Sequence, residues 1–395
     1  MDAFDFAVVG KGLIGSAALR YLSATGGSGV IIGPDEPKVP AEHQGVFASH
    51  YDEGRITRLI GRDRIYSKLA ERAIEQYATI ESVSGIRFHY PVGMLIVQAP
   101  HIADGHMKDP LGTARALGRK FTLYEVGDRS WKERFPDLEF PETYSVIHEP
   151  APAGYINPRA LIRAQLAIAS KEGVHVVRET ATAIRRNGAG FVIETDAGDG
   201  YLAGNVVVAA GAFTNFNSLL PRPLDFRPKT ESVILAEVSE ADFERLGKTP
   251  TVIYLVDDID IWDIYMTPPI RYPNGRFYIK LGANSVLDRE LTTLGEVQAW
   301  FRTGTNHASR VAMEAALHSL WPDVEILACE AKPCILCHTP NGYPIIDEID
   351  KGLVVAAGGN GGSAKCSDTL GKLAASLLTG AAWPEDIPRD LFSVG

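Results

Sequence analysis

The sequence predicts a mixed α/β fold, α+β overall, in which a Rossmann-like nucleotide-binding domain is interrupted twice by a β-rich second domain. Three observations carry this reading. A short apolar strand, Phe4 to Val9, runs directly into Gly10-Lys11-Gly12-Leu13-Ile14-Gly15. Two later apolar runs, Val206-Val207-Val208 and Leu353 to Ala357, end in the same kind of small-residue turn, at Ala209-Ala210-Gly211 and at Gly358 to Gly362. Between them lie β-like runs and Pro-broken loops with no second nucleotide motif, and 395 residues is long for one core.

In chain order, the first strand, its glycine turn and a helix from Ser16 to Ala24 form a dinucleotide fingerprint. Gly10 permits the tight turn, Gly12 lets backbone approach a pyrophosphate, and Gly15 lets the helix lie close on the strand. After the next strand, Val30 to Ile32, an acidic residue is expected at position 33 to bind the ribose. Gly33 stands there, so Asp35 or Glu36 could reach it instead. The run Ser49 to Arg58 is dense in charges of both signs, and Ile65, Leu69, Ala73, Tyr77 and Ile80 recur at helical spacing. Asn157 and Pro158 read as the cap and first turn of a helix that leads to a strand at Val174 to Val177, and Asn187-Gly188 marks a hairpin. Long strands are expected at Ser232 to Val238, Thr251 to Tyr265 and Arg276 to Gly282, with helices near 295–302 and 308–320. Asp257, Asp258, Asp260 and Asp263 cluster on the middle strand; they could attract an amine or a metal, but the alternation of Asp258 and Asp260 with Ile259 and Ile261 reads more simply as a solvated face. The nucleotide-binding domain is thus expected at 1–84, 150–220 and 324–395, and the second, substrate domain at 85–149 and 221–323.

A net charge of −10 without a dense Lys/Arg run argues against nucleic-acid or anionic-membrane partners. No secretory signal or membrane-length apolar run is present, so a cytoplasmic chain, monomeric or weakly self-associating, is expected. The four cysteines, Cys329, Cys334, Cys337 and Cys366, crowd the tail rather than forming a disulfide framework, and no metal site is expected. Cys334-Ile335-Leu336-Cys337-His338 also spells a c-type haem attachment motif, which needs an export route that a cytoplasmic chain lacks. A Cys-x-x-Cys redox pair would need a thioredoxin-like unit around it.

Three strand-then-glycine elements spread over nearly the whole length, with a β-rich domain inserted twice, resemble the D-amino-acid oxidase and glycine oxidase superfamily. The tail is similar to the monomeric sarcosine oxidase and N-methyltryptophan oxidase branch: Cys334 stands thirteen residues before Asp347 of Ile345-Ile346-Asp347, and Gly358 to Gly361 lead to Lys365. The resemblance implies FAD held by Gly10, Gly12, Leu13, Ile14, Gly15, Asp35, Ser49, His50, Arg55, Val176, Ala210, Gly211, Gly358, Asn360, Gly361, Gly362 and Lys365, and joined to Cys334 as an 8α-S-cysteinyl thioether. Ser49-His50, Arg55 and Arg58 follow the family's Ser-His-x-x-x-x-Arg-x-x-Arg run. In the family the first arginine lies near the flavin, and the second binds the substrate carboxylate with the tail lysine, here Lys365. Lys280 in Lys280-Leu281-Gly282 matches the lysine at which oxygen is activated, and Tyr265 is a looser match to an active-site tyrosine.

Four positions depart from the pattern. Tyr51, Asn284 and Gly362 replace histidines, and Leu336 replaces an aromatic. Loss of bulk at Leu336 and Gly362 implies a substrate larger than sarcosine. Each assignment has a plainer counterpart: Arg58 at the surface, Lys365 as a helix-start lysine, Lys280 on an edge strand facing solvent, Cys334 as a packed thiol. The expected function is oxidation of a secondary or cyclic amine of an amino acid to an imine, with O2 reduced to H2O2. The alternatives are a dehydrogenase with a non-oxygen acceptor and a flavin-binding subunit without turnover.

Overall fold

The structure is a computed structural model that describes residues 1–99, 109–256 and 261–394. The first strand, Ala3–Val9, is the centre of an eight-stranded sheet, parallel to Gly29–Ile32 on one side and Gly200–Val208 on the other. His175–Val177 and Leu353–Ala357 extend the parallel core outwards. Phe6 and Val8 face one apolar layer while Ala7 and Val9 face another, so strands such as Val30-Ile31-Ile32 are buried on both sides. Helices Leu13–Ser23, Pro158–Lys171 and Ser367–Thr379 cover one face. Gly371 brings the last helix so close to the first that a Cβ there would stand 2.5 Å from that of Ala17.

Local signals act as read. Asn157 caps its helix by accepting from the Ala160 amide at 2.9 Å, and Gly188, at φ 60°, turns the hairpin between Ala181–Asn187 and Gly190–Thr195. Helix Arg64–Ser84 buries Leu69, Ala73, Tyr77 and Ile80, with Tyr66 rather than Ile65 completing the face. The first helix starts earlier than expected, at Leu13, because Gly12 itself is its cap.

A second eight-stranded sheet runs in the order Ala328–His338, Arg227–Val238, Phe277–Ser285, Ile261–Arg271, Thr251–Leu255, Met94–Gln98, Ser145–Glu149 and Thr122–Tyr124. One face packs on helix His307–Leu320 through Met313, Leu317 and Leu320; the other looks towards the carboxyl ends of the parallel strands. Three expectations are corrected here. The single strand 251–265 is two antiparallel strands, Thr251–Leu255 and Ile261–Arg271, and Asp257, Asp258 and Asp260 lie outside the described residues. Asp263 is buried, 3 % exposed, so its face of the strand is an interior wall rather than a solvated one. The strand carrying Cys334 pairs along its length with Arg227–Val238, so it belongs to the second sheet although 324–395 had been grouped with the first. Long-range pairing, invisible to local pattern, decides that membership.

Candidate active site

One long cavity runs from the carboxyl edge of the parallel sheet to the inner face of the second sheet. At its first end Gly10 has φ 109°, and a Cβ there would lie 2.3 Å from the Ala209 carbonyl oxygen. A Cβ on Gly15 would lie 1.9 Å from the Gly10 oxygen, so strand and helix touch through backbone alone. Gly12 is different: its nearest neighbour in that direction is His50 Nδ1 at 3.8 Å, and it faces the open cavity. The helix beginning at Leu13 and Ile14 presents amides with no carbonyl one turn back, which suits a phosphate. Burial, then the charges of Arg159, Arg55 and Lys11, push His50 down to about 3, so its ring is neutral beside this anion site.

A Cβ on Gly33 would fall 2.7 Å from the Lys11 amide, which explains why no acidic side chain stands there. Asp35 instead pairs with Lys11 and, at 3.1 Å, with Arg178. Asp35 and Val176 do not line the main cavity but an adjoining hollow that shares Lys11, Pro34 and His50 with it. Ala210, Gly211, Gly358, Gly361 and Gly362 line the main cavity. Asn360 does not. It is fully buried at φ 48° and ties the glycine turn to Thr339, donating to Gly358 O at 2.6 Å and accepting from Thr339 N at 2.9 Å. In this structure it serves as a strut of the turn.

The second end of the cavity carries the charged groups. Arg58 follows the short strand Arg55–Thr57 and is held by Ile60 O, while Glu149 pins the Leu59 and Ile60 amides at 2.6 and 3.1 Å. Lys365 donates to Gly362 O at 2.8 Å, and burial together with the Arg58 charge lowers its ammonium to about 8. Two residues far apart in sequence therefore converge on one wall. Neither is a surface residue: Arg58 is 4 % and Lys365 6 % exposed. At Gly362 a Cβ would meet the Tyr66 ring at 2.9 Å, so the space expected from the missing histidine is taken by tyrosine packing, while Leu336 lines the cavity.

Lys280 is buried and turned inward, donating to Asp52 Oδ2 and to Gly54 O at 3.0 Å; burial and the Arg55 charge lower its pKa. Asp52 also accepts from Arg55 and, at 2.6 Å, from Tyr272 Oη. Tyr265 lies flat over Gly282, where a Cβ would stand 2.1 Å from its ring, and donates to Glu231 Oε1 at 3.2 Å. The glycine of Lys280-Leu281-Gly282 is thus required by the tyrosine. Cys334 lines the cavity from the edge strand, its carbonyl bonded to Trp300 Nε1 at 2.7 Å, and Ser49 Oγ reaches the next carbonyl, of Ile335, at 2.8 Å. Burial pushes the Cys337 thiol up to about 12, away from redox chemistry. The sequence singled out neither Glu231 nor Thr267 as a cavity group, nor Asp52 as the partner of Lys280, and it put Asp263 on a solvated face. A period-two reading of Asp263, Tyr265 and Thr267 on one strand would have found the last two of the acidic wall's neighbours once Tyr265 was placed inside.

A glycine cradle that no side chain can enter, a helix N-terminus and a long cavity fit a dinucleotide cofactor and define an oxidoreductase built on one. The chain belongs to the FAD dependent oxidoreductase (DAO) family, which it matches over residues 5–377. It is 25% identical over 399 residues to a monomeric sarcosine oxidase of Bacillus sp. (strain NS-129), covering 97% of this chain and 95% of that protein. It is 25% identical over 222 residues to the N-methyl-L-tryptophan oxidase of Yersinia pestis (strain Pestoides F), covering 55% and 56%. In fold it is similar to NikD, an unusual amino acid oxidase essential for nikkomycin biosynthesis, with a TM-score of 0.79 at 17% identity over 100% of this chain and 98% of that one.

Proposed function

We propose that this protein is a flavoprotein oxidase that converts a secondary or cyclic amine of an amino acid, bulkier than sarcosine, to an imine and returns the electrons to O2 as H2O2. The observation that carries the reading is the convergence of Arg58 and Lys365 on the wall of the same cavity that Lys280 and Cys334 enter. A guanidinium and an ammonium side by side hold a carboxylate in one pose, and fixing that pose is worth several kcal/mol of barrier. FAD supplies the hydride acceptor, held through Gly10 to Gly15, His50, Ala210 and Gly211, with Asp35 and Val176 at the adjoining hollow. Cys334 is the residue proposed to bond it covalently.

Lys280 supplies positive charge where oxygen is reduced. Asp52 does not cancel that charge, because the one carboxylate serves both Lys280 and Arg55. Anaerobic addition of N-methyl amino acids to the purified yellow protein tests the whole reading. Bleaching that air reverses, with one H2O2 formed per amine consumed, is expected. Bleaching that persists in air gives the dehydrogenase instead, and no bleaching by any secondary or cyclic amino acid overturns the activity.

A further inference from the structure

Two buried carboxylates face the substrate end of the cavity, and the proposed amine oxidation makes no use of them. Glu231 and Asp263 are 1 % and 3 % exposed, and both line the cavity. Register places them on one face of the second sheet. Asp263 stands opposite Asn284, and Glu231 stands two residues beyond Val233, the partner of Gly282 on that same strand. They are therefore roughly 10 Å apart, two strand spacings.

Other buried charges near them are matched. Asp52 has Lys280 and Arg55, and Glu149 has two backbone amides. The hydrogen bonds that reach Glu231 and Asp263 come, among the described residues, from neutral groups: Tyr265 Oη at 3.2 Å and Asn284 Nδ2 at 2.7 Å. Each bond engages one carboxylate oxygen. Lys229, two residues along the strand from Glu231, donates to Ser285 O at 3.2 Å and lies 4.0 Å from Asp288; its charge lowers the Glu231 carboxyl, and that of Arg58 lowers Asp263. Burial outweighs those two charges and raises both carboxyls, Asp263 to about 6. Four residues further along the Asp263 strand, opposite Lys280, the Thr267 hydroxyl lines the same cavity, is 1 % exposed and has no hydrogen-bond partner among the described residues.

The reactive nitrogen is a poor match for this wall. An amine must shed its proton before its carbon can give up a hydride, and an anion beside it would hold the proton on. A second cation, one that keeps its charge throughout, is what the wall suits.

We propose that the substrate carries a second, unreactive ammonium or guanidinium on its side chain, and that Glu231 and Asp263 bind it. This rests on the amine-oxidation reading and narrows its substrate class. Nα-methyl-L-lysine and Nα-methyl-L-norleucine, which share a four-carbon chain and differ in the terminal ammonium, are titrated into the anaerobic holoprotein. The shift of the flavin absorption band gives the affinity, and bleaching is scored separately. Wild type is expected to bind the lysine derivative about ten- to a hundredfold more tightly, in line with charge-assisted bonds in a buried site. In Glu231→Gln and Asp263→Asn the preference should fall towards one, retained flavin absorbance showing that each variant is folded.

Equal binding of the two ligands by wild type, or binding of neither, overturns the cation subsite. A preference that survives in both variants, or variants that weaken both ligands alike, also overturns it, the latter because the acids would then serve the reactive amine. Bleaching without preference keeps the amine oxidation and removes the subsite; preference without bleaching does the reverse.

Discussion

Lys365 carries a charge that its surroundings make labile. Its ammonium is lowered to about 8 by burial and by Arg58, so it is cationic at neutral pH and neutral well before an exposed lysine would be. If it clamps the substrate carboxylate, KM should rise as pH climbs through about 8 while Arg58 stays charged. Lys365→Met should raise KM at pH 7 by about tenfold or more and flatten that rise, which a KM-against-pH profile of the two proteins measures. Cys334 offers a sharper test. Acid precipitation of the wild-type protein should carry the yellow colour into the pellet, and Cys334→Ala should leave it in the supernatant. Free flavin from wild type would remove the covalent bond from the account.

Among the elements, the first turn divides its glycines by function. Gly15→Ala puts a methyl group 1.9 Å from a backbone oxygen, a clash that costs about 1–3 kcal/mol or more of stability even without cofactor. Gly12→Ala meets nothing nearer than 3.8 Å, so the apo fold should melt as wild type does while FAD affinity falls. Thermal melts of both variants with and without FAD separate the two roles. This turn was legible in the sequence because its constraint is steric and local. The acidic wall was not: alternation puts Ile261 and Asp263, two residues apart, on one face, but the pairing shifts register between them, so Ile261 joins the core while Asp263 lines the cavity. Arg58 and Lys365 were legible only through resemblance, since nothing local brings a strand-end arginine to a lysine near the carboxyl end of the chain.

At the scale of the molecule, two large sheets share one cavity, and the sequence revealed both of them while mis-sorting the strand between. Strand Ala328–His338 follows its hydrogen bonds into the second sheet, and the chain then crosses back to build Ile345–Asp350 and Leu353–Ala357 in the first. A ligand that touches both sheets should stabilise both together. In Cys334→Ala, where FAD would be exchangeable, FAD at a hundred times its dissociation constant should add about 2.7 kcal/mol to unfolding. Calorimetry should show that gain as one transition moved upward; two transitions, only one of which moves, would confine the cofactor's hold to a single sheet.

The position of Cys334 gives that strand assignment a mechanical meaning. The glycine turn that would grip one end of the cofactor belongs to one sheet, and the thiol that would bond its ring belongs to the other. A thioether there would work as a rivet through the molecule: with the cofactor tethered at one end, its grip at the glycine turn becomes intramolecular and joins the two sheets for as long as both are folded. The prosthetic group would then be part of the skeleton, and losing it would loosen the frame as well as the chemistry.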